Sequence, residues 1–333
     1  MPMARLRTVS TSSPGWTRRR SGRGFTYLDA SGARLGEHDV DRVKGLAIPP
    51  AWRDVWICPH PRGHLQAVGT DDAGRRQYLY HPDWRVQRDK QKFDRVLAAA
   101  AQLPTARRRI TRDLALEGMP VERAKAVAVR LLDLGYFRIG SDVYTDAHGS
   151  FGLTTLQRRH VRSRGEVLVF SFVGKSGIEH TIEIDDADVV AALDRMRRRR
   201  SGERLLAYQD GRRWIDLDAA AVNLYLDELL GGELTAKDFR TWHATVLAAT
   251  SLALTEEEGD TKTSRKRAVR AAVEEVSAYL GNTPTIARNS YIDPRVIDLY
   301  ESGTTIGEVA RKRHRSPAAR TRDLERAVLE MLS

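Results

Sequence analysis

Cysteine is almost missing from this chain of 333 residues, in which Cys58 stands alone. A single thiol excludes an internal disulfide and a cysteine-based metal cluster, and it fits a reducing compartment, so the expected location is the cytoplasm. No run approaches the roughly 18 apolar residues that a membrane-spanning helix needs, and the basic, polar stretch from Met1 to Ser13 lacks the apolar centre of a secretory leader. Neither membrane insertion nor secretion is expected. The chain also lacks a Gly-x4-Gly-Lys-Ser/Thr phosphate loop and any acidic cluster suited to a metal. Neither a nucleotide cofactor nor a metal is therefore expected. Acids are in deficit, at 44 Asp and Glu against 55 Lys and Arg, which leaves a formal charge of +11. Such a balance favours a polyanionic partner, although a GC-rich genome would also enrich arginine.

The distribution of that charge says more than its sum. Arginines cluster at Arg18 to Arg20, Arg107 to Arg109, Arg197 to Arg200 and Arg311 to Arg315, whereas a solvated helix more often mixes them with acids. Residues 1–24, rich in Ser, Arg and Gly, read as a basic flexible arm. Residues 25–90 show short β-type runs broken by turn signals, such as Phe25-Thr26-Tyr27-Leu28 before Asp29-Ala30-Ser31-Gly32, and imply a small antiparallel sheet with hairpins. Residues 91–333 turn helical, with a boundary expected at residues 86–92. The clearest helices are expected at 216–230, 238–254, 265–280 and 317–332, with a charged loop at 256–264. One island interrupts them: Val167 to Phe172 and Ile178 to Ile184 are strand-like around Gly174-Lys175-Ser176-Gly177, a β-hairpin with one lysine at its tip. The fold class is α+β, a small N-terminal sheet domain followed by a mainly α-helical domain carrying a hairpin.

The most telling segment runs Leu280-Gly281-Asn282-Thr283-Pro284 and then Thr285 to Pro294. It places Tyr291 in a polar, helix-breaking neighbourhood nine residues after Asn282. A phenol can attack phosphorus and form a covalent ester, provided that cations neutralise the charge building on the phosphate. With Lys44 to Trp52, Gly135-Tyr136-Phe137-Arg138-Ile139-Gly140 and Lys237-Asp238-Phe239-Arg240-Thr241-Trp242-His243-Ala244-Thr245 preceding this segment in the family's order, the chain resembles the type IB DNA topoisomerases in their small bacterial and poxvirus-like form. The resemblance covers about Phe25 to Tyr300.

The resemblance implies a tyrosine recombinase/topoisomerase IB-like catalytic domain and assigns the nucleophile to Tyr291. By the same resemblance Arg138 and Arg240 bind the scissile phosphate, a task that suits the guanidinium fork. Lys175 is implied as the proton donor to the leaving oxygen, which an arginine fills poorly. Asn282 stands where many members of the family carry histidine; its amide still donates a hydrogen bond but moves no proton. Gln77-Tyr78-Leu79-Tyr80-His81 resembles the family's DNA-touching strand, and alternation puts Tyr78 and Tyr80 on one face and Gln77 on the other. A buried aromatic pair is the competing reading there. Lys44 to Trp52 reads as a structural signature of the domain. The implied function is ATP- and metal-independent relaxation of supercoiled DNA through a 3′-phosphotyrosyl intermediate, by a monomer clamping duplex DNA at the nucleoid. Two other classes stay open. A tyrosine recombinase shares this chemistry but typically has histidine where Lys237 stands, and a non-catalytic basic DNA-binding protein would not need the full set of residues.

Overall fold

The computed structural model describes residues 5–134, 137–140, 149–231, 234–255 and 261–333. Gly135 and Tyr136 of the Gly-Tyr-Phe-Arg-Ile-Gly motif, and residues 256–260 of the charged loop, lie outside these. The chain divides into two compact units, Met1–Phe93 and Asp94–Ser333.

The first unit is an antiparallel sheet of β1 (Trp16–Ser21), β2 (Gly24–Leu28), β3 (Arg53–Ile57), β4 (Leu65–Thr70) and β5 (Arg76–Tyr80), in the order β2-β1-β3-β4-β5. Helix α1 (Glu37–Gly45) contributes Val43 to a core with Ile48, Val55, Ile57 and Ala67. The expectation of a flexible arm through residue 24 is corrected here, because Trp16–Ser21 pairs with β2 from Thr17↔Leu28 to Ser21↔Gly24. Its arginines conceal the strand, yet Arg18 is structural. That guanidinium donates to the carbonyls of Ile48 (3.1 Å), Pro49 (2.6 Å) and Trp52 (2.8 Å) and lies over the Phe25 ring. The Lys44 to Trp52 signature is thus the end of α1 and a following loop whose part-buried carbonyls find their donor in the supposed arm. A second difference is α2 (Pro82–Ala100), which occupies residues 86–92 with continuous helix where a short link was expected.

The second unit is mainly helical. Its helices are α3 (Leu103–Leu114), α4 (Val121–Asp133), α5 (Ala187–Arg197), α6 (Ala219–Leu230), α7 (Ala236–Leu254), α8 (Lys262–Leu280), α9 (Pro284–Ser290), α10 (Pro294–Glu301), α11 (Gly307–Arg311) and α12 (Pro317–Leu332). The expected hairpin is the β7 (Val167–Val173) and β8 (Glu179–Ile184) pair of a three-stranded sheet ordered β6-β7-β8, with β6 at Val161–Arg164. A further small hairpin, β9 (Ala207–Asp210) with β10 (Arg213–Asp216), has no counterpart in the sequence reading.

Helix α4 is the central one, with Ala124 and every residue from Ala126 to Val129 fully buried. An ion cluster ties the others to it. Arg107 on α3 donates to Asp133 at 2.7 Å and to Glu325 of α12 at 2.6 Å, and the Trp242 indole of α7 donates to Glu325 at 3.2 Å. Buried carboxylates are tolerated only when paired in this way. One face of α7 is thereby fixed against α12, and the opposite face carries Lys237, Arg240 and Thr241, one helical turn apart.

Candidate active site

The chain around Tyr291 is built from successive stop and start signals. Helix α8 ends at Gly281, whose φ of +60° is the left-handed conformation that closes a helix, and the Asn282 N–H donates back to the Ser277 carbonyl at 3.0 Å. Thr283 caps α9 by accepting from the Ile286 N–H at 3.3 Å, with Pro284 as the first helical residue. The neighbourhood read as helix-breaking is therefore two short helices, each begun by a proline. Tyr291 is the residue that terminates the first of them, 9% exposed. Thr245 of α7 ties this segment to its helix: its hydroxyl has the Thr241 carbonyl as acceptor at 2.9 Å and the Tyr291 carbonyl at 3.3 Å, and it accepts from the Asp293 N–H at 3.2 Å. Asp293 in turn caps α10.

Arg138 and Arg240 arrive from different elements and meet at the end of α8. The Arg138 backbone is held by a close approach of two glycines, since a methyl group on Gly152 would stand 2.4 Å from the Gly140 Cα. Its carbonyl accepts from the Leu153 N–H at 2.7 Å. The Arg138 side chain donates to Asn282 Oδ1 at 2.9 Å and to the Leu280 and Gly281 carbonyls at 3.3 and 3.4 Å. Arg240, buried on α7, also donates to the Leu280 carbonyl. Two guanidiniums thus share one helix terminus, where the carbonyl ends of the helix dipole favour them.

Neither arginine forms an ion pair among the described residues. Burial and the neighbouring Arg138 charge pull the Arg240 guanidinium down to about 10, while the opposite charge of an ionised Tyr291 and a side-chain hydrogen bond with it act in the other direction. Arg240 Nε and Asn282 Nδ2 are both buried without a hydrogen-bond partner among the described residues. Arg240 Cζ lies 5.9 Å from the centre of the Tyr291 ring, and Lys237 Nζ lies 5.8 Å from it. The set is a cationic, donor-rich cluster beside a phenol, and its chemistry suits the binding of an anion.

Of the expected catalytic residues, Arg138, Arg240, Asn282 and Tyr291 are brought together. Lys175 is exposed on the turn between β7 and β8 and makes no hydrogen bond or ion pair among the described residues. The base of its hairpin nevertheless borders the Asn282 segment, because a methyl group on Gly281 would meet His180 Cε1 at 3.3 Å and Ile178 Cδ1 at 4.0 Å. His243, three residues beyond Arg240, faces the other way. Its surroundings are Asp133, Glu325 and Arg107, and burial keeps its pKa below the usual histidine value.

His180 was not singled out in the sequence. It is the partner of Phe172 in the β7–β8 register, and the two rings stack with centroids 5.2 Å apart. Burial, then the charges of Arg138 and Arg240, push its pKa down. A histidine five residues beyond the hairpin lysine, on a strand, was the available signal.

In the first unit, Tyr78 and Tyr80 are 49% and 38% exposed and stack at 6.2 Å, which removes the buried-pair reading. Leu79 alternates with them and packs on the core. Gln77 lies on the Leu79 face, as alternation requires, with its amide donating to Asp71 Oδ2 at 2.8 Å.

The model of the family described as "Eukaryotic DNA topoisomerase I, catalytic core" matches residues 81–313, and that of "Bacterial DNA topoisomerase IB, N-terminal domain" matches residues 24–71. Among curated proteins, the DNA topoisomerase 1B of Acanthamoeba polyphaga mimivirus is 28% identical over 292 residues, covering 84% of each chain. The DNA topoisomerase 1B of vaccinia virus (strain Copenhagen) is 20% identical over 246 residues, 73% of this chain and 75% of its own. The DNA topoisomerase 1 of Schizosaccharomyces pombe is 29% identical over 168 residues, which is 50% of this chain and only 20% of that protein.

Proposed function

The chain belongs to the DNA topoisomerase I family, in its type IB form, and on that premise we propose that it relaxes supercoiled duplex DNA by transient single-strand cleavage through Tyr291. The observation that carries this reading is the cluster of donors at the end of α8. Two guanidiniums with no acidic partner among the described residues meet at one helix end with a buried amide N–H2 that has no hydrogen-bond partner among them, and one of the guanidiniums lies 5.9 Å from the centre of the Tyr291 ring.

In this reading the Tyr291 hydroxyl oxygen attacks the scissile phosphorus in line. A Tyr–O–P bond to the 3′ phosphate forms as the P–O5′ bond breaks. Arg138 and Arg240 neutralise the non-bridging oxygens, and Asn282 Nδ2 donates to one of them, giving charge stabilisation that is preorganised before the substrate arrives. The phenol proton passes to solvent as the Tyr–O–P bond forms. Lys175 gives a proton to the leaving 5′ oxygen, and its exposure on a turn suits a group that must reach into DNA. Religation is the reverse: the 5′ hydroxyl attacks the phosphotyrosine and returns its proton to Lys175. The bond energy is conserved in the ester, so the cycle consumes no ATP and needs no metal.

The exposed Tyr78 and Tyr80 pair is the DNA-contacting surface of the first unit. Gln77 reads a base only by giving up Asp71. The working form is a monomer acting on DNA at the nucleoid.

A plasmid assay in EDTA without ATP tests the reading. Both positively and negatively supercoiled plasmid should yield a relaxed ladder after deproteinisation, and the activity should fall steeply with salt over about 50 to 200 mM as phosphate contacts are lost. Binding without a relaxed ladder anywhere in that range refutes it.

A further inference from the structure

A proton donor on an exposed turn contributes only if something sets the turn against the phosphate site. The side chain placed to do this is His180. It stands across from Phe172 in the hairpin register and stacks on it, with 24° between the rings. Its imidazole fills the gap between two glycines. A methyl group on Gly174 would stand 2.6 Å from His180 Cδ2 and 2.7 Å from Nε2, and one on Gly281 would stand 3.3 Å from Cε1. Gly174 immediately precedes Lys175, and Gly281 immediately precedes Asn282. One ring therefore touches the residue before the proton donor and the residue before the phosphate-binding amide.

We propose that His180 is a positioning residue that fixes the Lys175 turn relative to the Asn282–Tyr291 segment by acting as a packed spacer between Gly174 and Gly281. The inference rests on the reading of Lys175 as proton donor to the leaving oxygen. His180 itself touches no reacting atom. Burial, then the adjacent guanidiniums, push its pKa down, which favours the neutral ring in a spacer beside two cations. The turn's own backbone bonds close it on itself and do not join it to the Asn282 segment. Its closing backbone bonds are the Gly174 N–H to the Ile178 carbonyl at 2.7 Å and the Gly177 N–H to the Gly174 carbonyl at 3.2 Å. Loss of the ring frees the turn to shift by the order of 1 Å, which is enough to cost about 10- to 100-fold in rate when a catalytic group is displaced.

The test compares single-turnover cleavage of an ordinary DNA substrate with that of one whose leaving 5′ oxygen is replaced by sulfur, a leaving group that needs little protonation. Full-length wild type, Lys175→Ala, His180→Ala, His180→Phe and the double variant Lys175→Ala/His180→Ala are measured on both. His180→Ala should lose about 10- to 100-fold on the oxygen substrate and recover to within a few-fold of wild type on sulfur. His180→Phe, which keeps a ring in the gap, should stay within a few-fold of wild type on both. The double variant should be no slower than Lys175→Ala alone. Sulfur rescue of Lys175→Ala without rescue of His180→Ala overturns the inference and leaves the proton-donor reading standing, as does an unchanged rate for His180→Ala. Failure of sulfur to rescue Lys175→Ala overturns the proton-donor reading itself. Should His180→Ala not fold, His180→Phe decides the matter: a loss on oxygen beyond a few-fold, not restored by sulfur, counts against a spacer.

Discussion

Arg138 donates to Asn282 Oδ1 across 2.9 Å, and this bond orients the amide so that Nδ2 is the atom left buried and unpartnered. Where an asparagine replaces the family's commoner histidine, its direction is thus set by the same guanidinium that is proposed to bind the phosphate. A buried donor without an acceptor costs free energy unless a ligand satisfies it.

Asn282→Asp should therefore be more damaging than Asn282→Ala. Alanine removes one donor, worth about 100- to 1,000-fold in cleavage rate if it acts as a typical neutral donor to a transition state. Aspartate also pairs with Arg138 and repels the phosphate, so its loss should exceed that of alanine by at least about 10-fold. Single-turnover cleavage by the two variants decides between them, and equal rates would mean that Nδ2 faces no anion.

The pairing of Arg138 with Arg240 at one helix end predicts an anion effect on stability. Two guanidiniums with no acidic partner among the described residues repel one another, and a sulfate or phosphate ion bound between them relieves the repulsion. Millimolar sulfate should raise the melting temperature of the wild type more than chloride of equal ionic strength does. Arg240→Ala should erase that difference and should slow cleavage and religation alike, by about 100-fold or more. A sulfate effect that survives in Arg240→Ala would place the anion elsewhere.

Acid should weaken the fold in two steps. Burial lowers the pKa of His243, so the folded chain prefers the neutral ring; its contribution is complete above the unfolded histidine value near 6.5 and is lost as pH falls from there through the lowered folded value. Burial alone would raise Asp133, but the hydrogen bond and charge of Arg107 outweigh it and hold the carboxyl below its ordinary range. Its contribution is lost only further down, as pH falls below about 4. Melting curves between pH 7 and 5 should show a decline that His243→Gln flattens, since glutamine does not titrate. An unchanged slope in that variant would remove His243 from the account.

The segments of the proposed site were more legible in the sequence than the framework holding them. Arg138, Arg240, Asn282 and Tyr291 sit on segments whose local chemistry is visible in one dimension: a Gly-rich turn, a capped helix start, and a Gly-Asn-Thr-Pro stop and restart. What could not be read depends on partners far along the chain. Trp16–Ser21 looks like a solvated arm until Arg18 is seen to satisfy three carbonyls 30 to 34 residues away. Arg107 lies in an arginine run that suggests DNA, yet it is committed to Glu325, 218 residues distant. The short helices α9 and α10 escaped because each spans fewer than three turns, too short for apolar periodicity to register. His180 escaped because its role depends on two glycines, one of which lies about a hundred residues further on.

The most direct measurement concerns the covalent bond. Wild-type protein is trapped on supercoiled or nicked-duplex DNA by denaturant, digested, and the DNA-linked peptide sequenced. The account predicts one phosphopeptide, carrying Tyr291 joined to a 3′ phosphate, and its complete absence in Tyr291→Phe, with DNA binding by that variant within a few-fold of wild type because only the attacking oxygen is lost. A link through any other residue, a link to a 5′ phosphate, or relaxation that persists in Tyr291→Phe would contradict it.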